Sequence, residues 1–194
     1  MFSAEFYFSK FNNAFSLNDD FEQWYKEINM VTPGKIRIES DELHYCLHII
    51  LRFEIENELI EGKINVKEIP KIWNRRMKEY FGVVPKDMRE GALQDVHWSN
   101  GYFGYFPSYA IGTIYATSIY NAIKRDIPEV EKEISLGKYE KIIKWLKEKI
   151  HSQGNLYSGE ELIYRACGKK LDIKEYIEYL SKKYYSLYQI KEVY

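Results

Sequence analysis

The densest group of side chains able to do chemistry lies in one irregular string, Gly91-Ala92-Leu93-Gln94-Asp95-Val96-His97-Trp98. It continues as Ser99-Asn100-Gly101-Tyr102-Phe103-Gly104-Tyr105-Phe106-Pro107-Ser108-Tyr109. Gln94, Tyr105 and Tyr109 offer hydrogen-bond donors, and His97 offers a group that carries a proton near neutral pH. Glycines permit tight bends or the close approach of a ligand. Aromatic rings can wall a cleft. The plain alternative is a loop packed on the core with its tyrosines as a cover. So many polar and aromatic groups in a segment without helical period favour a site.

Two further places hold candidate groups. Arg37, in Ile36-Arg37-Ile38-Glu39-Ser40-Asp41, stands just before an apolar stretch. A guanidinium there must be paired. Asp41 at i+4 could pair with it, or its fork could stay open for the carboxylate of a ligand. His44 and His48 are four apart, the spacing that puts two rings on one helix face as a zinc site requires. Residue 45 is Tyr rather than the Glu of a metalloprotease helix, so Asp41 is the nearest further polar group and no third ligand can be named. The alternative is one packed core histidine and one hydrogen-bonded histidine. Walker, G-x-G-x-x-G and C-x-x-C motifs are missing, as are Ser, Cys or Lys nucleophile signatures.

The elements that must position these groups read as helices almost throughout. Phe21, Trp24, Tyr25 and Ile28 form one helical face after the cap candidates Asn18, Asp19 and Asp20. Thr32-Pro33-Gly34 ends that helix. A second begins near Ser40-Asp41-Glu42 and runs to about Glu61. Its middle, Tyr45 to Leu51, is apolar nearly all round, which predicts burial on several sides. Val66, Ile69, Ile72, Trp73, Met77 and Tyr80 make another stripe, closed by Gly82. Lys86 to Pro107 has no helical period and reads as a long ordered connection, the kind that often carries function. A buried helix follows from Pro107 to about Lys124. Three more are predicted beyond it: the Tyr139–Ile150 stripe, and helices with capping boxes or close variants at Ser158 and Asp172. The charged run Glu129 to Glu133 reads as a solvated face, and His151 as a helix-end partner. Period-2 alternation is scarce, so the expected class is all-α with little or no sheet, in one domain over residues 1–194.

Composition narrows the function classes. Of 194 residues, 45% are apolar and 16% aromatic, enough for a real core and too much for a disordered tail. Lys+Arg is 28 against 29 Asp+Glu, so no basic excess drives nucleic-acid binding. No apolar run is long enough to span a membrane and no secretory signal is visible, which makes the cytoplasm the default. Cys46 and Cys167 cannot build a disulfide framework. Heavy use of Lys, Glu, Ile and Tyr has a thermophilic flavour.

The chain resembles the carboxypeptidase Taq family of metallocarboxypeptidases. Residues 36–41 look like that family's I-R-x-x-A-D motif, with Ser40 in place of Ala, and Gly91 to Trp98 fits its G-x-x-Q-D-x-H-W motif. Leu47-His48-Ile49-Ile50-Leu51-Arg52-Phe53-Glu54, Phe103 to Pro107 and Gly159 to Leu162 agree, and the resemblance runs from near residue 6 to the C-terminus. It implies a mostly helical, zincin-like fold with a deep substrate groove, and release of C-terminal residues from peptides with zinc or cobalt. By carry-over, Arg37 grips the terminal carboxylate and Asp41 orients it. His97 and Tyr109 steady the carboxylate or the tetrahedral oxyanion, Gln94 is a neighbouring donor, and Tyr105 joins them at the substrate.

The family holds its metal with H-E-x-x-H and a downstream Glu, ahead of the I-R-x-x-A-D motif. None of the four histidines here heads an H-E-x-x-H. The resemblance therefore implies the C-terminal portion of such an enzyme, with no metal ligands of its own and no peptidase activity alone. The expected partners are a peptide C-terminus and a separate N-terminal polypeptide carrying H-E-x-x-H, or a second copy of the chain. A non-catalytic module that binds peptide termini or self-associates is the alternative, and a new metal site at His44, His48 and Asp41 a third.

Overall fold

The computed structural model describes the backbone of residues 2–15 and 20–191, with the side chains of 4–12 and 20–191. These residues form nine α-helices: α1 (Phe2–Phe15), α2 (Phe21–Ile28), α3 (Glu42–Ile60), α4 (Ile69–Phe81), α5 (Pro107–Asp126), α6 (Val130–Ser135), α7 (Glu140–Lys149), α8 (Gly159–Cys167) and α9 (Ile173–Tyr188). No strand occurs among the described residues, so the chain is all-α as its periodicity predicts. No described helix is long and apolar enough to cross a membrane. Contacts divide the chain into two compact units, Asn29–Gly112, and Met1–Ile28 with Thr113–Tyr194.

The Asn29–Gly112 unit is built on α3 and α4. Asp41 caps α3 by accepting from His44 N at 2.9 Å. Asn65 and Glu68 form a reciprocal capping box on the 3-10 turn that leads into α4. Gly82, at φ +71°, closes α4 in the left-handed conformation that glycine adopts without steric cost. Leu51 and Ile55 of α3 meet Ile69, Ile72, Trp73, Met77 and Phe81 of α4, and Ala92 of the following loop joins them. The all-round apolar middle of α3 is covered on one side only. His48, Ile49 and Leu51 are buried, whereas Ile50 is 41% and Phe53 46% exposed, and Leu43 on the same side is 38% exposed. Within these residues the unit has no second layer to lay on that face.

The other unit has its own core of Ala122, Ile123, Val130, Ile134, Trp145, Ile163, Ala166 and Cys167. The charged run at 129–133 leads into a short helix anchored by buried Val130 and Ile134, one turn apart, with Glu129 exposed and Glu133 turned toward Lys141. Asp20 accepts from Glu22 N at 3.4 Å ahead of α2. Asn18 and Asp19, the other cap candidates, lie outside the described residues. Ser158 caps α8 through Glu161 N, and Asp172 caps α9 through Lys174 N at 2.9 Å. The variant box at Asp172 is left open because Glu175 turns away, accepting from Ser118 Oγ at 2.9 Å, from Asn121 at 3.3 Å and from Lys169. Neither Cys46 nor Cys167 is joined in a disulfide.

Candidate functional site

The site residues expected from sequence all lie in or at the edge of the Asn29–Gly112 unit. Arg37 opens a 3-10 turn, Arg37–Glu39, at the entrance to α3. Its side chain is buried. Nε and Nη2 donate to Asp95 Oδ1 at 3.0 and 2.6 Å, and Nη1 reaches Tyr45 Oη only at 3.5 Å. The guanidinium also lies over the rings of Tyr109 (4.9 Å) and Phe106 (5.8 Å). Burial acts to lower the Arg37 pKa, but the bonds and charge of Asp95 outweigh it and the net shift is upward.

Asp41 does not orient Arg37. Its Oδ1 accepts from His44 N, and its Oδ2 takes His44 Nδ1 at 2.8 Å and Thr32 N at 3.0 Å. An N-cap carboxylate points back at the first-turn N–H groups of its own helix. Asp41 is therefore committed to the helix start while the Arg37 fork faces the loop after α4. Burial pushes the Asp41 carboxyl up, but the His44 and Thr32 bonds prevail and hold it below the ordinary value.

A second cation, not singled out from the sequence, completes the pairing. Arg52 of α3 is 0% exposed. Its Nε donates to Asp95 Oδ2 at 2.6 Å, its Nη2 to Gln94 Oε1 at 2.7 Å and its Nη1 to His48 O at 2.7 Å. Its guanidinium lies over the rings of Trp73 (4.7 Å) and Phe106 (5.4 Å). Burial lowers its pKa to about 10 against the pull of Asp95, so it remains charged at neutral pH. Burial also works against the Asp95 carboxylate, but the two arginines outweigh it and hold the pKa below the ordinary value. Asp95 thus bridges two guanidiniums. The only sequence clues were an arginine inside a buried helix and an aspartate inside a motif, 43 residues apart.

Gln94 is a brace rather than a free donor. Its Oε1 accepts from Arg37 N (2.9 Å) and from Arg52, and its Nε2 donates to Lys35 O, Glu90 O and Gly91 O at 3.0, 2.8 and 3.2 Å. Both ends of the amide are spent inside the fold. His97 and Tyr109 do come together, Nε2 to Oη at 3.0 Å. The His97 ring packs 4.3 Å from Phe106, and its Nδ1 lies 3.9 Å from Asp95 Oδ1, beyond hydrogen-bond reach. Tyr105 is half exposed, with its ring 5.4 Å from Tyr109 and 5.8 Å from His97. Arg37, Asp95, His97 and Tyr109 therefore form one connected cluster.

The loop that carries these groups is pinned from beneath by Glu56, which is buried on α3. Its two oxygens accept from Trp98 Nε1 at 2.7 Å and from Gly104 N at 3.1 Å, the latter at a φ of +78°. A Gln at 56 would set an NH₂ against one of these donors. Glu56→Gln is expected to cost about 1–3 kcal/mol and to speed amide exchange across 99–106. Thermal melts and hydrogen exchange check both.

The histidines of α3 take the ordinary roles. His44 is bound to Asp41, and His48 is fully buried and stacked 4.2 Å from Phe81. The Gly34 backbone lies near the His48 ring but outside hydrogen-bond geometry. Among the described residues, no three His, Cys, Asp or Glu side chains converge so as to hold a metal ion. The metal that the resemblance implies finds no fitting donor set among the described residues. A surface cavity of about 510 Å³ lies along α3 and α4, lined by Glu54, Glu58, Arg76 and Tyr80 among others. It includes neither Arg37 nor His97.

Residues 3–184 match the family described as carboxypeptidase Taq (M32) metallopeptidase. The chain belongs to the M32 family. Among its M32 relatives, carboxypeptidase 1 of Bacillus subtilis is 42% identical over 170 residues, 88% of this chain and 33% of the relative. Thermostable carboxypeptidase 1 of Pyrococcus furiosus is 38% identical over 175 residues, 90% of this chain and 35% of the relative. The solved M32 carboxypeptidase of Deinococcus radiodurans superposes with a TM-score of 0.90 at 32% identity, covering 97% of this chain and 39% of that one. The chain spans about a third of the length of the curated M32 relatives it matches.

Proposed function

We propose that residues 1–194 supply the carboxylate-recognition part of an M32-type carboxypeptidase. The observation that supports this is a count of charge. Two buried guanidiniums, Arg37 and Arg52, share the single carboxylate of Asp95, and no other described carboxylate lies within 4.0 Å of either. One positive charge is left over in a site with little water to screen it, and a second carboxylate is its natural counterion. Arg37 offers the Nη1 edge for it, since that edge has only the long contact to Tyr45. The adjoining His97–Tyr109 pair can share or donate one proton toward a bound oxygen. Tyr105, with Tyr102 and Phe103 exposed on the same loop, gives an apolar wall for the terminal side chain.

Hydrolysis would draw its metal ion and base from outside these residues, on a polypeptide bearing H-E-x-x-H. The uncovered apolar side of α3 (Leu43, Ile50 and Phe53) is consistent with such a partner. Alone, the chain is expected to bind peptide termini without cleaving them.

The test is titration with acetyl-Ala-Ala-Ala and with its C-terminal amide. A charge-assisted pair is worth about 1.5–3 kcal/mol, so the acid should bind roughly 10- to 100-fold more tightly. Arg37→Gln should bring the two affinities together. Equal affinity in the parent protein would remove the reading. Co-purification with a polypeptide bearing H-E-x-x-H, followed by an assay of peptide release, tests the partner; self-association instead would favour a non-catalytic module.

A further inference from the structure

We propose that Arg52 is a positioning residue of this anion site: by engaging the far oxygen of Asp95 it keeps Arg37 electrically available to a ligand. The inference rests on the carboxylate-binding reading of Arg37. Arg52 cannot meet a ligand itself. It is fully buried, all three of its nitrogens are bonded within the fold, and the Trp73 and Phe106 rings lie close to it. Its effect must travel through what it touches.

Two routes reach Arg37. The first is Asp95, whose Oδ1 takes Nε and Nη2 of Arg37 while its Oδ2 takes Nε of Arg52. One negative charge is divided between two cations. Without Arg52, Asp95 would neutralise Arg37 completely, and the surplus charge that attracts a carboxylate would vanish. The second route is Gln94 Oε1, which accepts from Arg52 Nη2 and from the Arg37 backbone N–H, fixing the turn from which the Arg37 side chain departs. The first route is electrostatic and needs only a cation at position 52. The second is geometric and needs a hydrogen-bond donor there.

Two variants separate these routes. Arg52→Gln removes the charge but retains donors, and Arg52→Lys retains the charge but loses the fork. Each is titrated as the full chain with acetyl-Ala-Ala-Ala and with its amide, and its helicity and melting curve are recorded. Arg52→Gln should lower the acid-to-amide affinity ratio tenfold or more, toward unity. Arg52→Lys should keep the ratio within about threefold of the parent. A folded Arg52→Gln with an undiminished ratio overturns the proposal, and so does a folded Arg52→Lys that loses it. If Arg52→Gln fails to fold, Arg52→Met, uncharged and of similar length, takes its place under the same outcomes. A parent ratio of one defeats the carboxylate-binding reading and this inference with it. A high parent ratio that no Arg52 variant changes defeats this inference alone.

Discussion

Asp95→Asn is expected to destabilise the protein by about 3–5 kcal/mol, the cost of removing one partner from a buried ion pair. The amide keeps the shape of the carboxylate but not its charge. Arg37 and Arg52 would then be two guanidiniums in one buried cluster with no anion between them. The Asn NH₂ would also face an arginine N–H in place of an acceptor. For a chain of this length the loss corresponds to a fall in Tm of about 6–20 °C. An exposed pair gives the contrast. Lys35 and Glu90 sit 2.7 Å apart, both partly open to solvent, and Lys35→Ala should change stability by no more than about 1 kcal/mol. Melting curves of the two variants side by side check the assignment; equal small shifts would mean that Asp95 carries no buried charge balance.

The second large effect is a loss of stability on mild acidification, centred on His48. Burial first, and then the nearby charge of Arg52, lower its pKa from 6.5 to about 4. Below pH 6.5 the unfolded chain takes up a proton that the native state refuses until about pH 4. The unfolded state then binds more protons, and stability falls as pH falls through that window. The gap between the two values corresponds to about 3 kcal/mol at 1.36 kcal/mol per unit. Above pH 6.5 this contribution is fully present. Asp41 and Asp95, whose carboxyls are held below 3.8, add a separate loss at more acidic pH. Denaturant titrations at pH 8, 6, 5 and 4 would show the slope. His48→Leu should remain within about 1.5 kcal/mol of the parent at pH 8, because no hydrogen bond of the ring is lost. The variant should have a flat profile between pH 6.5 and 4. A variant as acid-sensitive as the parent would place the titrating group elsewhere.

Acid sensitivity at His48 and the proposed anion recognition at Arg37 meet in one side chain. Arg52 depresses the histidine, accompanies Arg37 on Asp95 and bonds the His48 carbonyl. Arg52→Gln should therefore move both the acid profile and the ligand preference, and effects at 37, 52 and 95 should not add independently.

The sequence by itself determined the local structure and the identities of most candidate groups. Helical period and end signals placed α2 to α5 and α7 to α9, because capping and amphipathicity are written within a few residues of where they act. The loop from Lys86 to Pro107 was legible as aperiodic, and within it His97 and Tyr109 are only 12 residues apart, close enough to be considered together. The tertiary structure alone decided who pairs with whom. Spacing offered Asp41 as one partner for Arg37, yet Asp41 was claimed by its own helix start and Arg37 took Asp95, 58 residues away. Gln94 looked like a free donor until the turn at Lys35 and the loop at Glu90 closed on both ends of its amide. The middle of α3 read as buried on several sides, but how many sides are covered depends on how many layers surround it. Ion pairing and burial are set by packing between distant segments, and no window along the chain contains both partners.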